Sequence, residues 1–145
     1  MTDVTTSATS GDGSGIAARM GLKPDMLVME FGYDEDVDHD LRELIEQTCG
    51  EDLLDEDSDE VVDIVLIWFR EDDGDLTDLL VDAIGPLADD GVIWLLTPKR
   101  NRPGYLEPSE ISEAAAVAGL SETTIMTVSA DWSGSRLVGR KSGKR

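Results

Sequence analysis

The sequence is short of cationic charge, cysteine and histidine. Of its 145 residues only 12 are Lys or Arg, against 32 Asp or Glu, giving a formal net charge of −20. A chain this anionic repels nucleic-acid phosphates and acidic membrane surfaces, which argues against direct binding to either. The single cysteine, Cys49, excludes a disulfide framework and any multi-cysteine metal site. It closes an apolar stripe with no Lys, Arg or His close by in sequence to stabilise a thiolate, so it reads as a buried structural thiol. The only histidine, His39, sits among acids and supports no Ser-His-Asp arrangement. It reads as a solvated residue near a helix N-terminus. No apolar run approaches the ~20 residues of a membrane helix. The segment Met1-Thr-Asp-Val-Thr-Thr-Ser7 has neither the basic start nor the apolar core of a secretory signal. The expectation is a cytoplasmic protein without a membrane span.

The charge that is present is unevenly placed. Residues 25–90 hold 25 acids and only two bases, Arg42 and Arg70, whereas residues 91–145 hold eight bases and five acids. An acidic run is ordinarily a solvated face; a specific reading is a surface for a basic protein partner. Mimicry of a nucleic-acid backbone is a special case of that reading. The alternating acids do not form calcium loops. Counting from Asp34, position six is His39 and position twelve is Ile45, where a glycine and a bidentate Glu are needed. Counting from Asp55, the same positions are Glu60 and Leu66. No metal site is expected.

Apolar periodicity organises the rest. Residues 1–14 are polar and read as a disordered tail, residues 15–140 as one domain, and 141–145 as a basic tail. Ile16–Met20 is a short amphipathic segment stopped by Gly21, and Met26–Phe31 is a strand closed by Gly32. Asp34, Asp36 or Asp38 can cap a helix whose stripe is Val37, Leu41, Leu44, Ile45 and Thr48, ending near Gly50. Residues 51–60 carry seven acids and read as a loop, or a stub of strand within one. Asp63-Ile-Val-Leu-Ile-Trp-Phe69 and Gly91-Val-Ile-Trp-Leu-Leu96 are nearly continuous apolar strands, as central parallel strands buried on both faces should be. A helix over 75–85 joins them, which makes a strand–helix–strand unit. Asp89-Asp90-Gly91 reads as its exit turn. A helix follows over 108–118 with Ser109 as a candidate cap, then strands over 123–128 and 135–139. Asp131-Trp-Ser-Gly134 reads as the turn between them. The class is α/β: a compact Rossmann-like domain, with a mostly parallel sheet, helices on both faces and an antiparallel C-terminal edge pair.

This order resembles the methyltransferase version of the Rossmann fold over residues 22–140. Asp63-Ile-Val-Leu66 matches that family's fourth strand, and Leu87-Ala-Asp-Asp-Gly91-Val-Ile-Trp-Leu95 resembles the entry to its fifth. The chain is also similar to a small actinobacterial family of unknown function. The matching residues are Gly21-Leu-Lys-Pro24, Asp34-Glu-Asp-Val-Asp38, Asp72-Asp-Gly-Asp75, Gly91-Val-Ile-Trp-Leu-Leu-Thr-Pro-Lys99 and Asp131-Trp-Ser-Gly134. That resemblance implies a fold and no mechanism.

The departures from the methyltransferase pattern shape the functional expectation. The turn after the first strand, Glu30-Phe-Gly32-Tyr-Asp-Glu-Asp36, has one glycine where a glycine-rich loop should admit the cofactor. Only Gly32 and Glu30 match. Residues 51–60 are too short for the second strand, helix and third strand that should follow. The scaffold is kept and its cofactor half is cut down. The reading is therefore a non-enzymatic binding or regulatory protein with no cofactor and no catalytic residues. Its contact surface would comprise Asp34, Asp36, Asp38 and Trp132, with Lys99, Arg100 and Arg102 as a basic cluster near the carboxyl edge of the sheet. The alternative implied by the resemblance is a minimal S-adenosylmethionine-dependent methyltransferase, binding its cofactor near Glu30, Gly32 and Asp63.

Overall fold

The computed structural model describes residues 15–139. The tails expected over 1–14 and 141–145 lie outside the described residues. Residues 15–20 are helical and stop at Gly21, whose φ of +82° suits glycine. The chain then runs β1 (Val28–Phe31), α1 (His39–Cys49), β2 (Leu54–Asp55), β3 (Val62–Trp68), α2 (Leu76–Ile84), β4 (Leu87–Pro98), α3 (Pro108–Ala118), β5 (Leu120–Thr127) and β6 (Trp132–Gly139). The strands form one sheet in the order β2-β1-β3-β4-β6-β5. The first four are parallel; β6 runs antiparallel to β4, and β5 antiparallel to β6. The expected architecture, including the antiparallel edge pair and the strand stub within 51–60, is what forms.

Local chemistry explains the helix ends. Of the three candidate caps for α1, Asp38 serves: its carboxylate accepts the Leu41 N–H at 2.8 Å. Gly50 closes the helix in the left-handed conformation, φ +78°. Asp75 caps α2 in the same way as Asp38 caps α1, through the Asp78 N–H. Ser109 caps nothing. Glu107 stands at the N-cap of α3 without a side-chain bond, and Pro108 takes the first turn, where a missing N–H costs nothing.

The sheet divides the core in two. One face carries Ile67, Phe69, Ile93 and Leu95 against α2 and α3; the other carries Leu66, Trp68, Trp94 and Leu96 against α1 and the first helical turn. From Ile64 to Phe69 every residue is buried, the burial expected of a central parallel strand.

Two glycines read as turn signals sit inside strands instead. Gly91 lies in a bulge, where the pairing of β4 with β3 jumps from Leu87 to Val92. A Cβ on Gly91 would lie 2.6 Å from the Leu87 side chain. Gly134 pairs with both Leu96 and Met126. A Cβ there would lie 2.9 Å from Val128 and 3.1 Å from Trp94. Each marks close packing rather than a turn, so β4 starts at Leu87 and β6 at Trp132. Among the described residues no helix is long and apolar enough to cross a membrane.

Candidate functional site

From β1 the chain turns outward to β2 and then crosses back to β3 on the other side. The carboxyl ends of β1 and β3 therefore form the point where strand order reverses, the place at which open α/β sheets receive ligands. Here that edge is filled by the protein's own side chains.

Glu30, on β1, is only 8% exposed. It accepts three hydrogen bonds: from Arg42 Nε at 2.7 Å, Arg42 Nη2 at 2.9 Å and Trp68 Nε1 at 2.8 Å. Arg42 comes from α1 and clamps the carboxylate with both sides of its planar fork. The bond to Glu30 raises the Arg42 pKa further. Arg42 also lies over the Tyr33 ring, 4.7 Å from its centroid.

Arg70, just beyond β3, seals the other side. Its Nη1 donates to Gly32 O at 2.9 Å, Trp68 O at 3.1 Å and Asp73 Oδ2 at 3.0 Å. Its Nε donates to Asp36 Oδ2 at 3.0 Å and its Nη2 to Asp36 Oδ1. Burial pulls the Arg70 pKa down, but the bonds to Asp36 and Asp73 outweigh it and the net shift is upward. The same ion pair holds the Asp36 carboxyl below its ordinary pKa. The guanidinium lies 5.3 Å from the centroid of Trp132, which stacks edge-on against Trp68 at 4.9 Å. At φ +79° the Cβ of Gly32, were there one, would stand 2.2 Å from Trp68 O, so glycine is needed for β1 to turn against β3.

Glu30 and Gly32 are thus brought together, but Asp63 is not with them. It lies at the opposite end of β3, where its carboxylate accepts the Leu27 N–H at 3.0 Å. Val28 is level with Ile64 and Phe31 with Ile67, which puts Asp63 five residues, about 16 Å, from the level of Gly32. The three residues cannot line one cofactor pocket.

The contact residues expected from sequence also separate. Trp132 is not a turn residue at the surface. It is 3% exposed at the start of β6, with its Nε1 donating to Asp36 O at 3.3 Å. Asp36 is fixed by Arg70 and Asp38 by its cap, while Asp34 is exposed, its carboxylate accepting the Glu35 N–H. Lys99 is half-buried after β4, Arg100 stands over the Tyr105 ring at 5.4 Å, and Arg102 pairs with Asp131 at 3.3 Å. His39 is exposed against the edge of Tyr33, and burial pushes the Cys49 thiol up. Among the described residues no three His, Cys, Asp or Glu side chains are grouped to hold a metal ion. A further feature is a shallow depression of about 430 Å³ lined by Glu43, Glu46, Gln47, Gly50, Glu51 and Asp52.

The roles of Arg42 and Arg70 were missed in the sequence reading, although one signal pointed to them. They are the only two bases in residues 25–90. Both are used at this edge.

Comparison with known proteins places these observations. The chain is similar to solved methyltransferases at low identity. One is an S-adenosylmethionine-dependent methyltransferase from Aquifex aeolicus (TM-score 0.59, 13% identity, covering 87% of this chain and 88% of that one). A second is a TehB-like methyltransferase from Corynebacterium glutamicum (TM-score 0.53, 11% identity, 93% of each chain). A third is the pyocyanin biosynthetic protein PhzM (TM-score 0.67, 12% identity, 92% of this chain and 56% of that one). These likenesses show a Rossmann-like fold of the methyltransferase kind. In sequence, uncharacterised proteins of Mycobacterium tuberculosis and Mycobacterium bovis are each 55% identical over 134 residues, covering 91% of this chain and 84% of the relative. Residues 17–141 match the family described as a protein of unknown function, DUF3052, and to that family the chain belongs.

Proposed function

We propose that this protein is a non-enzymatic cytoplasmic binding or regulatory protein, which keeps a methyltransferase-like scaffold without its cofactor and docks a basic protein partner. The observation that carries the first half is Arg70. Its guanidinium spans Gly32 O, Trp68 O and Asp36 across the strand-order reversal, while Glu30 is saturated by Arg42 and Trp68. A cofactor entering there would have to displace Arg70 and break the charge-assisted bonds of buried Glu30.

The second half rests on charge. With Asp36 and Asp38 engaged in the fold and Trp132 buried, the docking surface is drawn from Asp34, Glu35, Asp40 and the exposed acids of residues 51–60. The acid-lined depression beside the end of α1 suits a Lys or Arg side chain.

Calorimetry with S-adenosylmethionine and S-adenosylhomocysteine at physiological salt tests the first half. No heat at millimolar ligand is expected; saturable micromolar binding would return the protein to the minimal methyltransferases. Affinity capture from source-cell extract tests the second, with wild type and an Asp34→Asn/Glu35→Gln/Asp40→Asn variant as baits. A basic protein held by wild type and released by the folded variant is the expected result. Equal retention by both baits would remove this surface from the reading.

A further inference from the structure

A second cavity lies on the sheet face that carries α2 and α3, and none of Glu30, Gly32, Asp36 or Trp132 lines it. It encloses about 240 Å³ between the end of β4, the β5–β6 pair, the loop after Pro98 and the start of α3. Pro98, Tyr105, Leu106 and Ile111 give it apolar walls. Thr97 and Ser135 line it as well, although each residue is only 4% exposed. Among the described residues the buried side-chain polar atom without a partner is the Ser129 hydroxyl, and neither of these two is in that state. Both residues add a hydroxyl to the polar groups that converge on the cavity. Lys99 and Arg100 complete the lining, and among the described residues neither is ion-paired. In a chain of net charge −20, two cations without carboxylate partners beside an apolar cavity are out of keeping with simple charge neutralisation.

We propose that this cavity binds a small organic acid: one carboxylate on an aromatic or branched apolar body. The carboxylate would meet Lys99 and Arg100, the body would lie along Tyr105, Leu106 and Ile111, and polar substituents would pair with Thr97 and Ser135. The size sets the scale, since 240 Å³ falls below the ~300–1,000 Å³ of sites for drug-sized ligands. A singly charged head is favoured over a phosphate dianion because Glu122 also lines the cavity and the field of the whole protein is negative. Apolar walls with a few converging polar groups are the usual make-up of a small-molecule site.

The test is a titration of isotope-labelled full-length protein with phenylacetate, followed by amide chemical shifts. Phenylacetamide and inorganic phosphate serve as controls. Saturable shifts centred on residues 97–106, Ile111 and 133–135 are expected, with affinity weakened at least about tenfold for phenylacetamide. The same loss is expected for phenylacetate in a Lys99→Gln/Arg100→Gln variant whose remaining spectrum is unchanged. Shifts that fail to saturate by about 10 mM, or that map elsewhere, would overturn the proposal. So would phosphate saturating the same amides as tightly, or phenylacetamide binding as well as the acid. Because the two small molecules are compared on wild type, the proposal stays testable even if the double variant does not fold.

Discussion

Arg42 and Arg70 are fixed on opposite sides of the same strand edge, each against carboxylates. Between them they bond across the carboxyl ends of β1 and β3. Glu30 is therefore a stability residue here. Replacing it with Gln keeps the shape but leaves the Arg42 charge without its counterion. Arg42 retains one-quarter side-chain exposure, which softens the loss. Glu30→Gln is expected to destabilise the protein by ~1–3 kcal/mol in urea unfolding, with the fold otherwise retained. Asp36 makes a pH prediction. Its folded pKa is lowered, first by its hydrogen bond to Arg70, so the pair adds stability above the unfolded value of about 3.9. That stability is lost as pH falls through the folded value. The side chain is 56% exposed, so solvent keeps the effect small. An Asp36→Asn variant should start less stable at neutral pH and lose less between about pH 4 and pH 2 than wild type, read as melting temperature against pH.

At the scale of elements, boundaries follow from caps that can be read in the sequence and from packing that cannot. Asp38 and Gly50 delimit α1 by local chemistry alone. Truncating the cap, Asp38→Ala, should cost ~1 kcal/mol in thermal or urea unfolding. The joint between β1 and β3 is different. Gly32 stands so close to Trp68 O that only glycine fits between the strands there, a contact that no local sequence signal announces. A Gly32→Ala variant must accept both an unfavourable φ and a clash with backbone. Loss of ~2 kcal/mol or more, or failure to fold, is expected from urea unfolding. If Gly32 served only ligand approach, stability would not move. Gly91 and Gly134 misled the sequence reading for the same reason. Glycine signals freedom or closeness, and only the neighbours say which. Trp132, placed in a turn by the composition around it, is buried because the strand begins one residue after Asp131 and packs it on Trp68.

For the whole molecule, charge is the governing quantity. A body holding 25 acids and two bases between residues 25 and 90 repels itself, and those two bases are already used in the fold. Raising sodium chloride to about 0.5 M should increase the melting temperature by screening that repulsion. Potassium chloride should act equally at the same ionic strength. A calcium effect that survived high salt would instead point to a dedicated cation site. The basic C-terminal half has a separate arrangement. Lys99 and Arg100 stand by an apolar cavity, whereas Arg102 answers Asp131. Sequence proximity grouped these three; the turn after β4 divides them.

Legible along the chain were the α/β class, the buried parallel strands, three helices and the short connection between β1 and β3. Each of these is written in nearest-neighbour chemistry or in a repeating period along the chain. Which side chains meet at the carboxyl ends of β1 and β3 came only with packing. It put Arg70 across Gly32 and Trp68, 38 and two residues away along the chain. It also sent Asp63 to the far end of its strand, and left Thr97 and Ser135 facing a cavity together. Such pairings depend on sheet register and on which face each side chain takes, and those are fixed only when separate segments pack.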